Sequence, residues 1–368
     1  MTSNGQDLDT AATSVRESPP VNVLDAVESD RAATPAESVS ASLRPINRTT
    51  RLPALVENAI QRFAVVGIWV VMMLVYIAIE PDKILQVATF QSIFGSQEPL
   101  VFLALAMLCT FVVGEFDLSV ASVMGLTATI VPVLVTQHGL NVALASAVAV
   151  AIGVGCGLVN AFVVVVVGVD GFIVTLGSST LLLGAALWVS KSTTVSGLSV
   201  SFGKISLTNF LGLPLTFYYG IAIALVFAYV AWFTPLGRHM TFVGASREVA
   251  RLAGVRVDRI RFLAYVASAL IASLGGVLLT AGLGGFDASS SPGYLLPALS
   301  AVFLGTAVIQ PGRFNALGSM IGVYFLASGI LGLQLMGLGG WIENVFYGAA
   351  LIIAVSVSSL VRRRRGRS

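Results

Sequence analysis

The sequence predicts an all-α membrane protein of about ten transmembrane helices, both termini cytoplasmic, with a short cytoplasmic helix between spans six and seven. Three observations predict it. Of 368 residues, 56% are apolar and only 11% are charged, against roughly 25% charged in an ordinary soluble domain. Mean hydropathy is +0.90. Apolar runs of the ~20 residues that cross a bilayer as a helix recur along the chain, and the arginines keep to one side of them. A water-exposed surface needs far more charge, so this composition argues against a soluble enzyme and a disordered chain.

Charge divides the chain into three parts. Residues 1–59 carry eight acids and five arginines. They mix Ser, Thr, Ala, Pro, Asp and Glu without periodicity, which predicts a disordered cytoplasmic tail. No basic n-region and apolar h-region mark it as a secretory signal. Residues 60–361 form the apolar body. Residues 362–368 hold five arginines in a short basic cytoplasmic tail.

Within the body the expected spans are 60–79, 97–113, 117–136, 140–167, 171–190, 214–233, 261–283, 293–309, 315–335 and 342–361. The second and third almost touch, and only Gln310–Phe314 parts the eighth from the ninth. With the N-terminus cytoplasmic, all eighteen arginines fall inside and all three lysines, Lys83, Lys191 and Lys204, fall outside. That is the positive-inside bias, and it requires an even number of spans. Glycines such as Gly153, Gly155, Gly157, Gly275, Gly276, Gly318, Gly322, Gly329 and Gly332 lie in spans, where small residues let helices approach closely. Pro132, Pro292 and Pro297 are candidate helix breaks. Asp170 precedes span five as a candidate cap, and Glu343 stands near the start of span ten.

No cofactor or metal site is expected. His138 and His239 are far apart, and Cys109 and Cys156 each sit in an apolar run as packing residues. No nucleophile–base pair points to an enzyme, and no G-x-x-x-x-G-K-[ST] phosphate loop is present.

Residues 234–260 form the longest cytoplasmic loop. Within Gly244–Gly254, Val249, Leu252 and Ala253 share one helical face, and Arg247, Glu248 and Arg251 share the opposite one. Ser246 can cap its start, Gly254 can end it, and Asp258 can cap the seventh span. This helix could dock in a groove of a soluble partner, or lie among lipid headgroups.

Three blocks carry a resemblance. GRHMTFVGASREVARLAGVRVDRIRF resembles the coupling-helix region of ABC-importer permeases of the ribose/xylose/galactoside type, through Gly237, Arg238, Gly244, Glu248, Ala250, Arg251, Leu252 and Gly254. Ser246 stands at or near that family's usual Asn, and Val249 where Ala is common. GEFDLS, residues 114–119, resembles its G-G-I-D-L-S-V-G signature, with Glu115, Phe116 and Ala121 as departures. Residues 160–187, ending GFIVTLGSSTLLLGAAL, resemble its third block, with Ala161 and Gly171 replacing Gly and Pro. The likeness covers residues 60–361.

The resemblance implies an inner-membrane permease subunit in a bacterial cell. Its partners would be a second permease subunit (a copy or a close paralogue), two ATP-binding cassette subunits and an extracytoplasmic sugar-binding protein. Membrane lipid surrounds such a subunit, and no nucleic-acid partner is implied. Gly244, Ser246, Arg247, Glu248, Ala250, Arg251, Leu252 and Gly254 would then couple to the ATPase. Two readings fit Asp117 with Ser119: a cap on span three, or a part in gating and translocation. Asn160, Phe172, Thr175 and Ser178, with Ser179 and Thr180, are candidates to line the path or to bond back to helix carbonyls. An ion-coupled carrier or channel is the alternative. Such carriers place ionisable groups mid-membrane, whereas here the acids cluster at span ends.

Overall fold

The computed structural model describes residues 54–365, with side chains described for residues 62–356. The tail expected at residues 1–59 therefore lies almost wholly outside the described residues, as do residues 366–368 of the basic tail.

The chain is mostly helical. In order come α1 (Ala54–Ile79), α2 (Pro81–Ile84), α3 (Val87–Gly95), α4 (Glu98–Phe111), α5 (Val120–Thr136), α6 (Val142–Ala161) and α7 (Gly171–Val189). Then follow β1 (Val195–Ser196), α8 (Val200–Leu207), β2 (Asn209–Phe210), β3 (Leu213–Pro214), α9 (Leu215–Phe233), α10 (Pro235–Ala245) and α11 (Arg247–Leu252). The last elements are α12 (Val257–Leu283), β4 (Gly285–Phe286), α13 (Leu295–Gly305), α14 (Ala316–Leu335) and α15 (Trp341–Arg365).

Among the described residues seven helical stretches are long and apolar enough to cross a membrane: Arg62–Ile79, Val87–Phe111, Val142–Val167, Gly171–Val189, Leu215–Phe233, Val257–Leu283 and Ala316–Leu335. Val120–Thr136 and Trp341–Ser356 are shorter apolar helices. The span expected at 293–309 is cut short: its first two residues close a 3-10 helix and its last four lie beyond α13. Residues Ala288–Tyr294 form a 3-10 helix, and α13 follows with only 11 residues. At ~1.5 Å per residue, α13 alone reaches about half a bilayer. Pro292 inside the 3-10 turn and Pro297 in the first turn of α13 explain the break, since each lacks an amide donor. Pro132 instead lies inside α5 without ending it.

Packing follows the burial of each helix. Every residue of α4 is buried, and α12 packs against α4, α5 and α6. At the periphery α1 is held to α14 by Trp69 Nε1 donating to Ser328 Oγ at 2.7 Å and Tyr76 Oη donating to the Gly329 carbonyl at 3.0 Å. The valine-rich run Phe162–Val167 extends α6 as a π-helical turn and stops at Gly168, whose φ of 87° needs a glycine. Asp170 then caps α7, accepting from Phe172 N at 3.0 Å and Ile173 N at 3.3 Å.

α13 and α14 cross on small residues. A Cβ built on Gly322 would stand 2.5 Å from the Ala301 carbonyl oxygen, and one on Gly305 would stand 2.6 Å from Ser319 Cα. Gly155, by contrast, has nothing within 4 Å of its Cβ position. Adding one methyl to each glycine separates close packing from helix propensity. Gly322→Ala is expected to cost ~1–3 kcal/mol through overpacking. Its thermal midpoint in detergent should fall clearly below that of Gly155→Ala; equal midpoints would refute the close crossing.

Loops and helix ends contact one another in two groups. In the first, Lys83 Nζ donates to the Leu335 carbonyl at 3.1 Å, Gln91 Nε2 donates to the Gly212 carbonyl at 3.0 Å, and β1 pairs antiparallel with β4. Asp287, beside β4, accepts from the amide and hydroxyl of Ser289. Those bonds hold its carboxyl below the usual range. In the second group, Arg247 reaches the Gly114 carbonyl and Glu115, and the Ile309 amide donates to the Arg62 carbonyl at 3.1 Å.

Candidate functional site

The second group of turns centres on residues 114–119, between α4 and α5. The turn begins at Gly114, whose φ of 75° is left-handed. Its neighbour is the end of α10: a Cβ on Gly244 would run into the backbone at Val112. Only a glycine lets the two backbones lie this close.

Two buried carboxylates follow. Glu115 is 4% exposed. It accepts from Arg261 Nε at 2.5 Å, Arg247 Nη2 at 2.8 Å and Tyr265 Oη at 3.3 Å. Asp117 is 3% exposed. Its Oδ1 accepts from Ser119 N at 3.0 Å and Ser119 Oγ at 2.6 Å, and its Oδ2 accepts from Ser268 Oγ at 3.1 Å. A buried carboxylate is tolerated when its lone pairs meet donors in this way. Asp117 therefore bonds the amide of the N-cap residue itself. Ser119 makes no side-chain bond to the first turn of α5.

From Ser119 a chain of bonds runs outward. Asn160 Nδ2 donates to Ser119 Oγ at 2.9 Å, and Ser178 Oγ donates to Asn160 Oδ1 at 2.5 Å. Thr175 Oγ1 accepts from Leu118 N at 3.1 Å and donates to the Gly171 carbonyl at 2.8 Å. Ser122 and Ser179 hydroxyls meet at 2.9 Å. One turn thus ties together α5, α6, α7 and α12. Asp117, Ser119, Asn160, Thr175 and Ser178 are brought to it. Phe172 is not: its ring is 51% exposed, at the rim of a cavity of about 400 Å3 that Glu115, Asp170, Arg247 and Arg261 also line. Thr180 is exposed and donates to the Leu176 carbonyl within α7.

The turn's other ring is Phe116, 5.0 Å from Phe111; Phe111 in turn meets Phe303 at 5.9 Å and Phe314 at 5.3 Å. The residues not anticipated are Arg261, Tyr265 and Ser268. They stand at i, i+4 and i+7 on α12, a polar stripe on a largely apolar span, and that spacing is the signal that could have found them.

α10 and α11 form the surface beside this turn. Thr234 caps α10, and Ser246 Oγ accepts from Val249 N at 3.4 Å to cap α11. Gly254 follows with φ 80°. Ala250 is fully buried among Val113, Val243, Val257, Ile260 and Ala264. Val249 and Leu252, on the face expected to be apolar, are 52% and 84% exposed. Arg251, Glu248 and Ala253 are exposed as well. Asp258 does not cap α12 as expected. It lies in the first turn, 3.3 Å from Arg251 Nη2 and 3.7 Å from Arg261 Nη1. Two guanidinium groups compete for it, and the helix starts two residues earlier than such a cap would give, at Val257.

The arrangement joins backbone segments to one another and presents an apolar ledge; its carboxylates are already occupied by donors. Among the described residues no three His, Cys, Asp or Glu side chains stand where they could hold a metal ion.

Apolar helices around one polar turn, gripped by a short surface helix, are the build of a multi-pass membrane protein. The chain matches, over residues 90–355, the family described as branched-chain amino acid transport system / permease component, and it belongs to that family. It is 30% identical over 284 residues to the ribose import permease protein RbsC of Bacillus subtilis, covering 75% of this chain and 84% of that protein. It is 29% identical over 258 residues to the autoinducer 2 import system permease protein LsrD of Salmonella typhimurium, covering 68% and 77%. It is 27% identical over 298 residues to a probable ABC transporter permease protein, y4mJ, of Sinorhizobium fredii, covering 81% and 89%. No solved structure matches it.

Proposed function

We propose that this chain is the permease subunit of an ATP-driven importer in a bacterial inner membrane, passing a monosaccharide or similar polyol that a solute-binding protein delivers. The observation that carries this reading is the ledge on α11. Val249 and Leu252 face outward, uncovered by the described helices, while Ala250 packs with Val113 and Val243 and Arg247 binds Glu115 and the Gly114 carbonyl. A fastened helix with an unmet apolar face suits a docking surface. The coupling set is Gly244, Ser246, Arg247, Glu248, Ala250, Arg251, Leu252 and Gly254. Its partner is one of two ATP-binding subunits, where ATP is hydrolysed. A second permease subunit completes the path. Asp117, Ser119, Asn160, Thr175 and Ser178 act in gating, and Phe172 faces the path or its rim.

Ten crossings with both termini cytoplasmic accommodate the broken segment as one crossing, 3-10 turn plus α13. The two groups of turns support that count. Turns after odd-numbered crossings meet each other, and turns after even-numbered crossings meet each other and the start of α1. The even group carries the arginines.

Affinity purification from native membranes with mass spectrometry tests the assignment. The expected result is co-purification of an ATP-binding subunit. Recovery of the chain alone, in a mild detergent that keeps other membrane complexes intact, would overturn it.

A further inference from the structure

One carboxylate, Glu115, receives two guanidinium groups from elements in different settings. Arg261 belongs to α12, which is packed along α4, α5 and α6. Its side chain is 12% exposed. Arg247 is 45% exposed. It opens α11, a six-residue helix entered through extended Ser246 and left through left-handed Gly254. Arg247 also donates to the Gly114 carbonyl at 3.0 Å. The carboxylate thus joins a fixed helix to a short one with a conformational break at each end. Two residues further on, the same turn carries Asp117 and the bonds to Ser119, Asn160 and Ser178. In the G-G-I-D-L-S pattern that this segment resembles, glycine stands at the Glu115 position. A chain with glycine there has no carboxylate to make the tie.

We infer that Glu115 is a positioning residue that ties α11 to the Gly114–Ser119 turn, so that a displacement of α11 is passed into the Asp117–Ser119–Asn160–Ser178 chain. The inference deepens the proposed function and rests on it, because it takes α11 as the surface that an ATP-binding subunit moves. Two guanidinium groups held at 2.5–2.8 Å from one buried carboxylate resist separation from it. Arg261 keeps the carboxylate in register, and Arg247 brings the motion to it.

The test is hydrogen–deuterium exchange of the complex recovered from native membranes, nucleotide-free and trapped with ATP and vanadate. Exchange reads local opening segment by segment. In the unaltered protein, peptides covering α11 and residues 112–119 should both respond to trapping, the latter by about threefold or more in exchange rate. In Glu115→Gln the α11 response should persist and the response of residues 112–119 should vanish. Glu115→Asp keeps a buried charge for Arg261 but is one methylene too short to hold both arginines, and should lose the response in the same way. A purely structural role would raise exchange equally in both states and leave the nucleotide dependence intact. Retention of that dependence at 112–119 in either variant, or its absence from the unaltered protein, overturns the inference. An α11 that fails to respond, or a chain that brings down no ATP-binding subunit, is instead a failure of the permease reading.

Discussion

Glu248→Arg should abolish uptake and strip the ATP-binding subunit from the purified permease, while insertion and thermal midpoint stay unchanged. Glu248 is exposed at the second position of α11 and has no ion pair among the described residues. Its loss therefore removes little from the fold. Its acidic charge in the first turn favours the helix by a few tenths of a kcal/mol, too little to unfold a segment pinned by Ala250. At an interface the balance differs. The reversal leaves three of the six positions of α11 cationic, and a partner cation that pairs with Glu248 would then meet a like charge, at a cost of several kcal/mol. At ~1.4 kcal/mol per tenfold, about 3 kcal/mol lowers docking affinity ~100-fold. Uptake by cells expressing equal amounts of the two proteins checks it. Normal uptake by Glu248→Arg would remove α11 from the docking role.

Much of this architecture is legible in the residues because lipid makes a simple demand. Long apolar runs read as helices, and Gly168, Asp170, Ser246 and Gly254 punctuate them as local chemistry dictates. The eighth span was harder. Residues 293–309 are mostly apolar, and the break at their start depends on prolines whose effect varies with context: Pro132 is accommodated within α5 and Pro292 sits in a 3-10 turn. The polar turn was half legible. Asp117 and Ser119 read together from sequence as a cap or a gate, and the structure joins them by two bonds. Glu115 could not be matched to its partners, since Arg261 lies 146 residues away. Such pairings belong to the tertiary fold, and no local periodicity encodes them. Val249 and Leu252 read as one apolar face of α11, but a short amphipathic pattern says nothing about which side faces the protein. There the deciding residue was Ala250, small enough to be buried against Val113 and Val243 while Leu252 remains outside.

Asp117→Asn should lower both stability and uptake, and Asp117→Ala should lower them further. Three donors converge on the carboxylate: the amide and hydroxyl of Ser119, and the hydroxyl of Ser268. Asparagine keeps one acceptor of the same shape, so the two bonds from Ser119 can persist. The amide nitrogen then faces Ser268 Oγ, which must turn its hydroxyl away and accept instead. What goes is the stronger bonding to a charged acceptor, worth ~1.5–3 kcal/mol. Alanine strands all three donors in a site only 3% exposed, at ~1–3 kcal/mol for each group left without a partner. Ser268→Ala removes one donor and leaves the other two in place, for ~1 kcal/mol. The expected order of thermal midpoints is therefore Ser268→Ala above Asp117→Asn above Asp117→Ala. Uptake at equal membrane abundance should follow the same order, because Ser119 passes the disturbance to Asn160 and Ser178 on α6 and α7. A midpoint and an uptake rate both unchanged in Asp117→Asn would show that the carboxylate is not what organises this turn. A fallen midpoint with intact uptake would confine Asp117 to holding the fold and leave gating to the residues beyond it.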